Sequence, residues 1–310
     1  MLRIAVPDLV SNSYFPIIAA VEMGYFKEEG FDASVDLLFP IPKTFEALRD
    51  GQLDFVVGSA HATLLAFPQW QGAKLLAACG QHTYWFLVIR SDLNPKRGDL
   101  SVVKGLRIGA APGVNLSLQR MLVEAGIDPE KNGIQIMPIP GAAGPNVSFG
   151  LSAAKALEEG KLDGFWANGM GCEVAVRRGV GTMVLDVRRG DGPTAARHYT
   201  FSALVATDKR IDDEPDSARA AVRALMKAHK ALRTDPNSAT AVGKKRFPPS
   251  EAELIAELVR RDLPYYDPNI PAEKVVSMNC FARDIGLLSA PVAYDRVVAT
   301  QFSHLWNEPI

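Results

Sequence analysis

A chain of 310 residues can form two domains of ordinary size. Its composition is globular, 47% hydrophobic and 22% charged, and a net charge of −1 gives no field that would draw nucleic acid or an anionic membrane as partner. No apolar run reaches the ~18 residues of a membrane-spanning helix, and the scattered Cys79, Cys172 and Cys280 argue against a disulfide framework or zinc knuckle and read as buried free thiols.

Met1 leads straight into a strand over Leu2–Val6, without the basic segment or small-residue cleavage site of a signal peptide. A periplasmic location therefore needs a leader upstream of Met1; a cytoplasmic one follows if Met1 is the native start. Ser11-Asn12-Ser13 is placed to cap a helix from about Tyr14 to Met23, and Gly24–Gly30 is a short second helix with a glycine stop. Strands over Val35–Leu38 and Phe55–Val57 flank a helix over Thr44–Asp50. A helix over Ala62–Trp70 leads to a strand over Lys74–Cys79. The wholly apolar Trp85–Ile89 reads as a buried strand that carries the chain out of a first lobe. Arg90–Lys104, with Asn94-Pro95 and Gly98, reads as a surface connector. Then come a strand over Arg107–Ala110, a helix over Leu116–Glu124 and a glycine-rich loop, Gly141–Gly150. A helix over Gly171–Arg178, a strand over Thr182–Leu185 and a long strand over His198–Ala206 follow. The tail is helical. Asp216–Arg233 places Val222, Leu225, Met226, His229 and Leu232 at helical spacing, and Ser250-Glu251-Ala252-Glu253 forms a capping box for a helix to about Arg261. Pro271–Ile285 and Ala293–Leu305 complete it, and His229 and His304 are expected to be structural or surface residues.

The two halves echo each other. Ala47–Phe55 reads ALRDGQLDF and Ala156–Phe165 reads ALEEGKLDGF. Leu2–Pro7 resembles Leu106–Pro112, Gly30-Phe31-Asp32 resembles Gly126-Ile127-Asp128, and Leu38–Pro42 resembles Ile136–Pro140. Four matches in one order imply an α/β chain of two similar lobes, and a cleft between lobes is where a small ligand binds. The expected division is 1–89 plus 200–310 for lobe one, with 90–199 inserted as lobe two and the tail helices packed on lobe one.

Ligands of open α/β sheets sit outside the carboxyl ends of the strands. That rule selects Ser11, Asn12, Ser13, Tyr14, Ser59, His61, His82 and Tyr84 from the first half, and Gly113, Asn115, Asn146, Phe149, Trp166, Asn168 and Tyr199 from the second. Two helix starts offer unpaired N–H groups to a carboxylate or sulfonate. Ser13 and Asn115 are the side-chain donors, although each fits a helix cap equally well. Tyr14, Tyr84, Phe149, Trp166 and Tyr199 could wall an aromatic or heterocyclic ligand; Trp166, in a strand, reads better as core than Phe149, in a loop. Only Arg197 brings a guanidinium to these loops, so a bidentate carboxylate clamp is not expected. His61 lies in a strand-to-helix loop among small residues, lining a wet cleft with few core contacts. A ligand hydrogen bond is its first reading, a structural role the second and catalysis the third. His61, His82 and His198 lack metal-ligand spacing, and no cofactor or nucleophile motif is present, so no metal, cofactor or catalytic residue is assigned.

Glu22–Gly30 resembles the GYFKEEG stretch of the substrate-binding proteins of nitrate, sulfonate and thiamine-precursor ABC transporters. Leu48–Phe55 is similar to that family's L-x-x-G-x-x-D-F, and Val103–Gly109 to its L-K-G-x-x-I-G. The resemblance covers nearly the whole chain. It implies the type II periplasmic-binding fold, hinge closure around a small organic anion, an ABC permease as partner and a monomeric chain without membrane insertion. Asn168-Gly169-Met170-Gly171 departs from the Trp/Glu-Pro pair that transporter proteins often carry there. The same fold serves cytosolic enzymes, among them yeast-type thiamine pyrimidine synthase, whose cysteine-rich iron motif these three cysteines do not reproduce, menaquinone-pathway enzymes and a dihydroxyphthalate decarboxylase. The alternative reading is therefore a cytosolic decarboxylase or hydrolase of a small ring acid, with His61 or His82 as base and a Ser or Tyr as proton donor.

Overall fold

The structure is a computed structural model that describes residues 1–142 and 147–308. The chain divides into two compact units, Met1–His82 with Thr200–Ile310, and Thr83–Tyr199. Unit one opens with β1 (Leu2–Val6), α1 (Phe15–Glu22), α2 (Tyr25–Glu28), β2 (Ala33–Leu37), α3 (Ile41–Arg49), β3 (Phe55–Ser59) and β4 (Ala73–Gly80). Unit two contains β5 (Phe86–Arg90), β6 (Arg107–Ala110), α4 (Val114–Glu124), β7 (Gln135–Met137), α5 (Phe149–Glu158), β8 (Gly164–Ala167), α6 (Gly169–Arg177) and β9 (Gly181–Asp186). The chain then returns to unit one as β10 (Ser202–Thr207), α7 (Asp208–Asp213), α8 (Pro215–Thr234), α9 (Ser238–Arg246), α10 (Pro249–Asp262), α11 (Ala272–Asp284) and α12 (Tyr294–Val297).

Each unit holds one five-stranded mixed sheet, ordered β2-β1-β3-β10-β4 in unit one and β7-β6-β8-β5-β9 in unit two. Three parallel strands in each are followed by one antiparallel strand, β10 on β3 in unit one and β5 on β8 in unit two. The first unit thus ends at His82 rather than at residue 89. Trp85–Ile89 is a strand, but its pairing is with β8 and β9 of unit two.

The sequence echo has a structural cause. In unit one, Asp54 accepts from Arg3 N at 2.6 Å, Arg3 Nη2 donates to Gly51 O at 3.0 Å, and Asp54 N donates to Arg3 O at 2.9 Å. In unit two, Asp163 accepts from Arg107 N at 3.0 Å, Arg107 Nη2 donates to Gly160 O at 2.9 Å, and Asp163 N donates to Arg107 O at 2.9 Å. The glycine of each motif takes positive φ, +71° at Gly51 and +66° at Gly160, which ends the helix and turns the chain into the next strand. The aspartate then locks that strand to its parallel neighbour. Arg107 holds the Asp163 carboxyl down to about 2.

α8 buries Val222, Leu225 and Leu232 and packs against α1, α2 and β4, so the helical tail covers unit one. Here His229 is buried, its Nε2 donating to Cys79 O at 2.9 Å, whereas His304 is exposed. Cys79 and Cys172 are buried, but Cys280 is exposed on α11. Several expected helices are shorter or differently built. Pro68 interrupts Ala62–Trp70, and Gln69 and Trp70 take positive φ, so only 3₁₀ turns form. Ala293–Leu305 breaks because Val298 and Ala299 extend along β4, where Ala299 N donates to Leu75 O at 2.9 Å. They shield that sheet edge. The capping box does not form: α10 begins at Pro249, which places Ser250 inside the helix, bonded to Glu251 at 2.7 Å.

Candidate functional site

In unit one, the loops after β1 and β3 leave the carboxyl ends of adjacent parallel strands. The first loop winds on its own short side chains: Asp8 Oδ1 accepts from Val10 N at 3.0 Å and Ser11 Oγ from Ser13 N at 3.2 Å. Tyr14 is the N-cap of α1 and there is no side-chain cap, so the expected capping by Ser11-Asn12-Ser13 does not occur. All four residues, Ser11 to Tyr14, are buried. Asn12 Nδ2 donates to Asp262, and its carbonyl accepts from the Tyr266 hydroxyl at 2.7 Å. Ser13 Oγ is buried without a hydrogen-bond partner, a condition that costs about 1–3 kcal/mol unless some group meets it.

After β3 the chain enters the 3₁₀ segment Ala60–Leu65, anchored where Ala60 N donates to Phe201 O at 2.9 Å and His61 N to Thr200 Oγ1 at 3.5 Å. The His61 ring is 1% exposed and stands edge-on to Phe281 of α11, with centroids 5.2 Å apart. The expectation of few core contacts therefore fails, because α11 packs against this loop. Burial pushes the His61 imidazole down to about 3, so at neutral pH it is an uncharged hydrogen-bonding group. Ser59 is buried opposite Ser202. His82 ends the unit's first segment with φ +65°, its ring edge-on to Tyr265 at 6.1 Å.

In unit two, Gly113 takes φ +88° as the N-cap of α4. Asn115 folds back so that Oδ1 accepts from Gly113 N at 3.0 Å, while Val114 N and Asn115 N both donate to Ala111 O, at 3.0 and 2.9 Å. The N–H groups expected to await an anion at this helix start are thus taken up locally. Asn168 caps α6 through Gly171 N at 3.1 Å and is buried. Phe149 is not a loop residue but the first residue of α5, because Ser148 caps that helix through Leu151 N at 3.4 Å. Asn146 lies outside the described residues. Tyr84 and Tyr199 are buried; the Tyr84 ring lies 5.2 Å from Trp85, which lies 6.2 Å from Trp166. Trp166 is core, with Nε1 donating to Ser117 Oγ at 2.9 Å.

Sequence reasoning missed three features. Asp262 and Tyr266 reach the β1–α1 loop from about 250 residues away, a separation that no local pattern announces. Arg188 lies in a charged, glycine-rich stretch yet is 2% exposed, ion-paired with Asp186 at 3.3 Å and stacked over Phe86. Thr63 is a buried hydroxyl without a partner, two residues beyond His61. Among the described residues no group of three or more His, Cys, Asp or Glu could hold a metal ion, and no helix is long and apolar enough to cross a membrane. A groove of about 490 Å³ on unit one, between Met23, Tyr25, Lys227 and Thr234, includes none of the candidate residues.

Solved structures with the same fold cover nearly all of the chain. A protein of Bordetella bronchiseptica RB50 aligns at a TM-score of 0.77 and 19% identity, over 99% of this chain and 96% of that one. The alkanesulfonate-binding protein SsuA of Xanthomonas axonopodis pv. citri, bound to MOPS, aligns at 0.69 and 15%, over 97% and 96%. A mutant of the desulfurization enzyme DszB, in complex with biphenyl-2-sulfinic acid, aligns at 0.66 and 16%, over 98% and 97%. At these identities the likeness shows the fold, that of the periplasmic-binding proteins. No curated protein sequence matches. Residues 11–239 match the family model described as NMT1/THI5 like, and since that match spans most of its length, the chain belongs to the NMT1/THI5-like family.

Proposed function

We propose that the chain is a solute-binding protein that takes up a small organic anion, aromatic or heterocyclic in its fuller form, and releases it unchanged, as the ligand-binding component of an ABC-type importer. The loops after β1 and β3 of unit one supply the first contacts, and the loops after β6 and β8 of unit two carry further candidate residues. One observation carries the reading: the candidate residues are hydrogen-bonding and aromatic groups, and His61, one of the two histidines that an enzyme would use as base, is held uncharged, its imidazole pushed down to about 3 by burial. So weak a base is far from the poise that general acid–base catalysis needs at neutral pH. It remains a good hydrogen-bond partner. Two of the structural relatives hold sulfur oxyacids, MOPS and biphenyl-2-sulfinic acid, which supports an anionic ligand.

Melting curves with a panel of carboxylates, sulfonates and pyrimidines test this. A true ligand at 100 times its Kd adds about 2.7 kcal/mol of stability. His61→Ala and Ser13→Ala should each weaken that ligand's binding about tenfold. A ligand whose affinity ignores both substitutions would contradict contact through the loops after β1 and β3. The enzyme reading would instead show as consumption of the bound compound.

A further inference from the structure

The Asn12 amide is fully buried in the loop after β1. Its Nδ2 donates to Asp262 Oδ2, and Asp262, paired with Arg261 Nε at 3.3 Å, presents acceptors only. An asparagine amide can ordinarily be turned end for end, but a carboxylate neighbour decides the matter. The NH2 end must face Asp262, and the carbonyl end must face away from it. The Tyr266 hydroxyl on Asn12 O, at 2.7 Å, fixes the backbone beneath this amide. Asn12 Oδ1 has no hydrogen-bond partner, and neither has the hydroxyl of the next residue, Ser13. Two neighbouring buried polar atoms left open in a loop otherwise closed on itself call for a group that meets them.

We propose that Asp262 sets the hydrogen-bond polarity of this loop, so that Asn12 meets the ligand as an acceptor through Oδ1, and that the ligand is therefore an organic anion that also carries an N–H or O–H donor. This rests on the binding function proposed above. The Ser13 hydroxyl can donate to an acceptor of the same ligand. A bare oxyanion such as nitrate, or a simple alkanesulfonate, offers acceptors alone and leaves Oδ1 unpaired. A site built to hydrogen-bond a donor rejects the analogue that lacks it.

Isosteric pairs test the inference by calorimetric titration: taurine against 1-propanesulfonate, and 4-hydroxybenzoate against 4-methylbenzoate, alongside the panel above. The donor-bearing member of a pair that binds should bind about tenfold more tightly or better. Asp262→Asn can serve Asn12 from either end of its own amide, so Asn12 is released to reverse. The preference should then shrink to roughly threefold or less. Equal affinities within the pairs, binding confined to acceptor-only compounds, or a preference that survives Asp262→Asn would overturn the inference and leave the binding function standing. The wild-type comparison holds even if the variant fails to fold. If no compound of the panel or the pairs binds, the binding function itself falls, and this inference with it.

Discussion

Acid should destabilise this protein through two buried histidines. Burial pushes His61 down to about 3 and His229 to about 4, against about 6.5 in an unfolded chain. Below pH 6.5 the unfolded state binds a proton at each site that the folded state refuses. Unfolding is therefore favoured as pH falls, and the stability each neutral histidine maintains above 6.5 is lost on the way down to its folded value. Between pH 6.5 and 4.5 the loss is about 2 kcal/mol for each residue, a large share of the ~5–15 kcal/mol that holds a typical domain. Urea unfolding at pH 6.5, 5.5 and 4.5 measures it. His61→Gln and His229→Gln put a non-titrating amide in each place, so each should flatten the pH slope by about one proton whatever it does to absolute stability. A slope unchanged in both variants would refute the burial argument, because the titrating groups would then lie elsewhere.

Asp163→Ala should destabilise unit two by about 2 kcal/mol, since it strands the Arg107 N–H and guanidinium bonds; Asp54→Ala should do the same in unit one, and denaturant midpoints check both. Gly171→Ala should cost roughly 1–3 kcal/mol, because the added Cβ would lie 2.5 Å from Gly150 O and 2.8 Å from its carbonyl carbon. That obstacle is backbone, and α5 and α6 must part to admit it; a melting temperature equal to wild type would contradict this. His61→Ala should weaken ligand binding about tenfold and also lower the melting temperature, since the ring packs on Phe281. Calorimetry and melting on the one variant separate the two effects.

The duplicated architecture was legible because one short motif does the same work twice. Gly51 and Gly160 must reach positive φ, and Asp54 and Asp163 must meet the backbone of Arg3 and Arg107, so the letters G-x-L-D recur wherever that junction is built. Strand existence followed from short apolar runs, but strand membership did not. Nothing in Trp85–Ile89 says whether its partners are β3 and β4 or β8 and β9, because an apolar strand fits the middle of either sheet. The site loops were located by topology alone, and their chemistry was less legible. Asn115 and Asn168 spend their side chains on local turns, whereas Ser13, which looked equally like a cap, does not. His61 looked solvent-facing because its sequence neighbours are small. The residue that buries it, Phe281, arrives from 220 positions later, where no helical periodicity points back to a loop.

What becomes of a bound ligand separates a solute-binding protein from an enzyme most directly. The panel compound that raises the melting temperature most is titrated calorimetrically, then left overnight in large excess over the protein and recovered by liquid chromatography with mass spectrometry. One ligand bound per chain and full recovery of the compound unchanged is the predicted result. Steady loss of the compound with a product appearing in proportion to protein, and abolished in His61→Ala or in a variant of His82, would contradict the solute-binding account and establish an enzyme in its place.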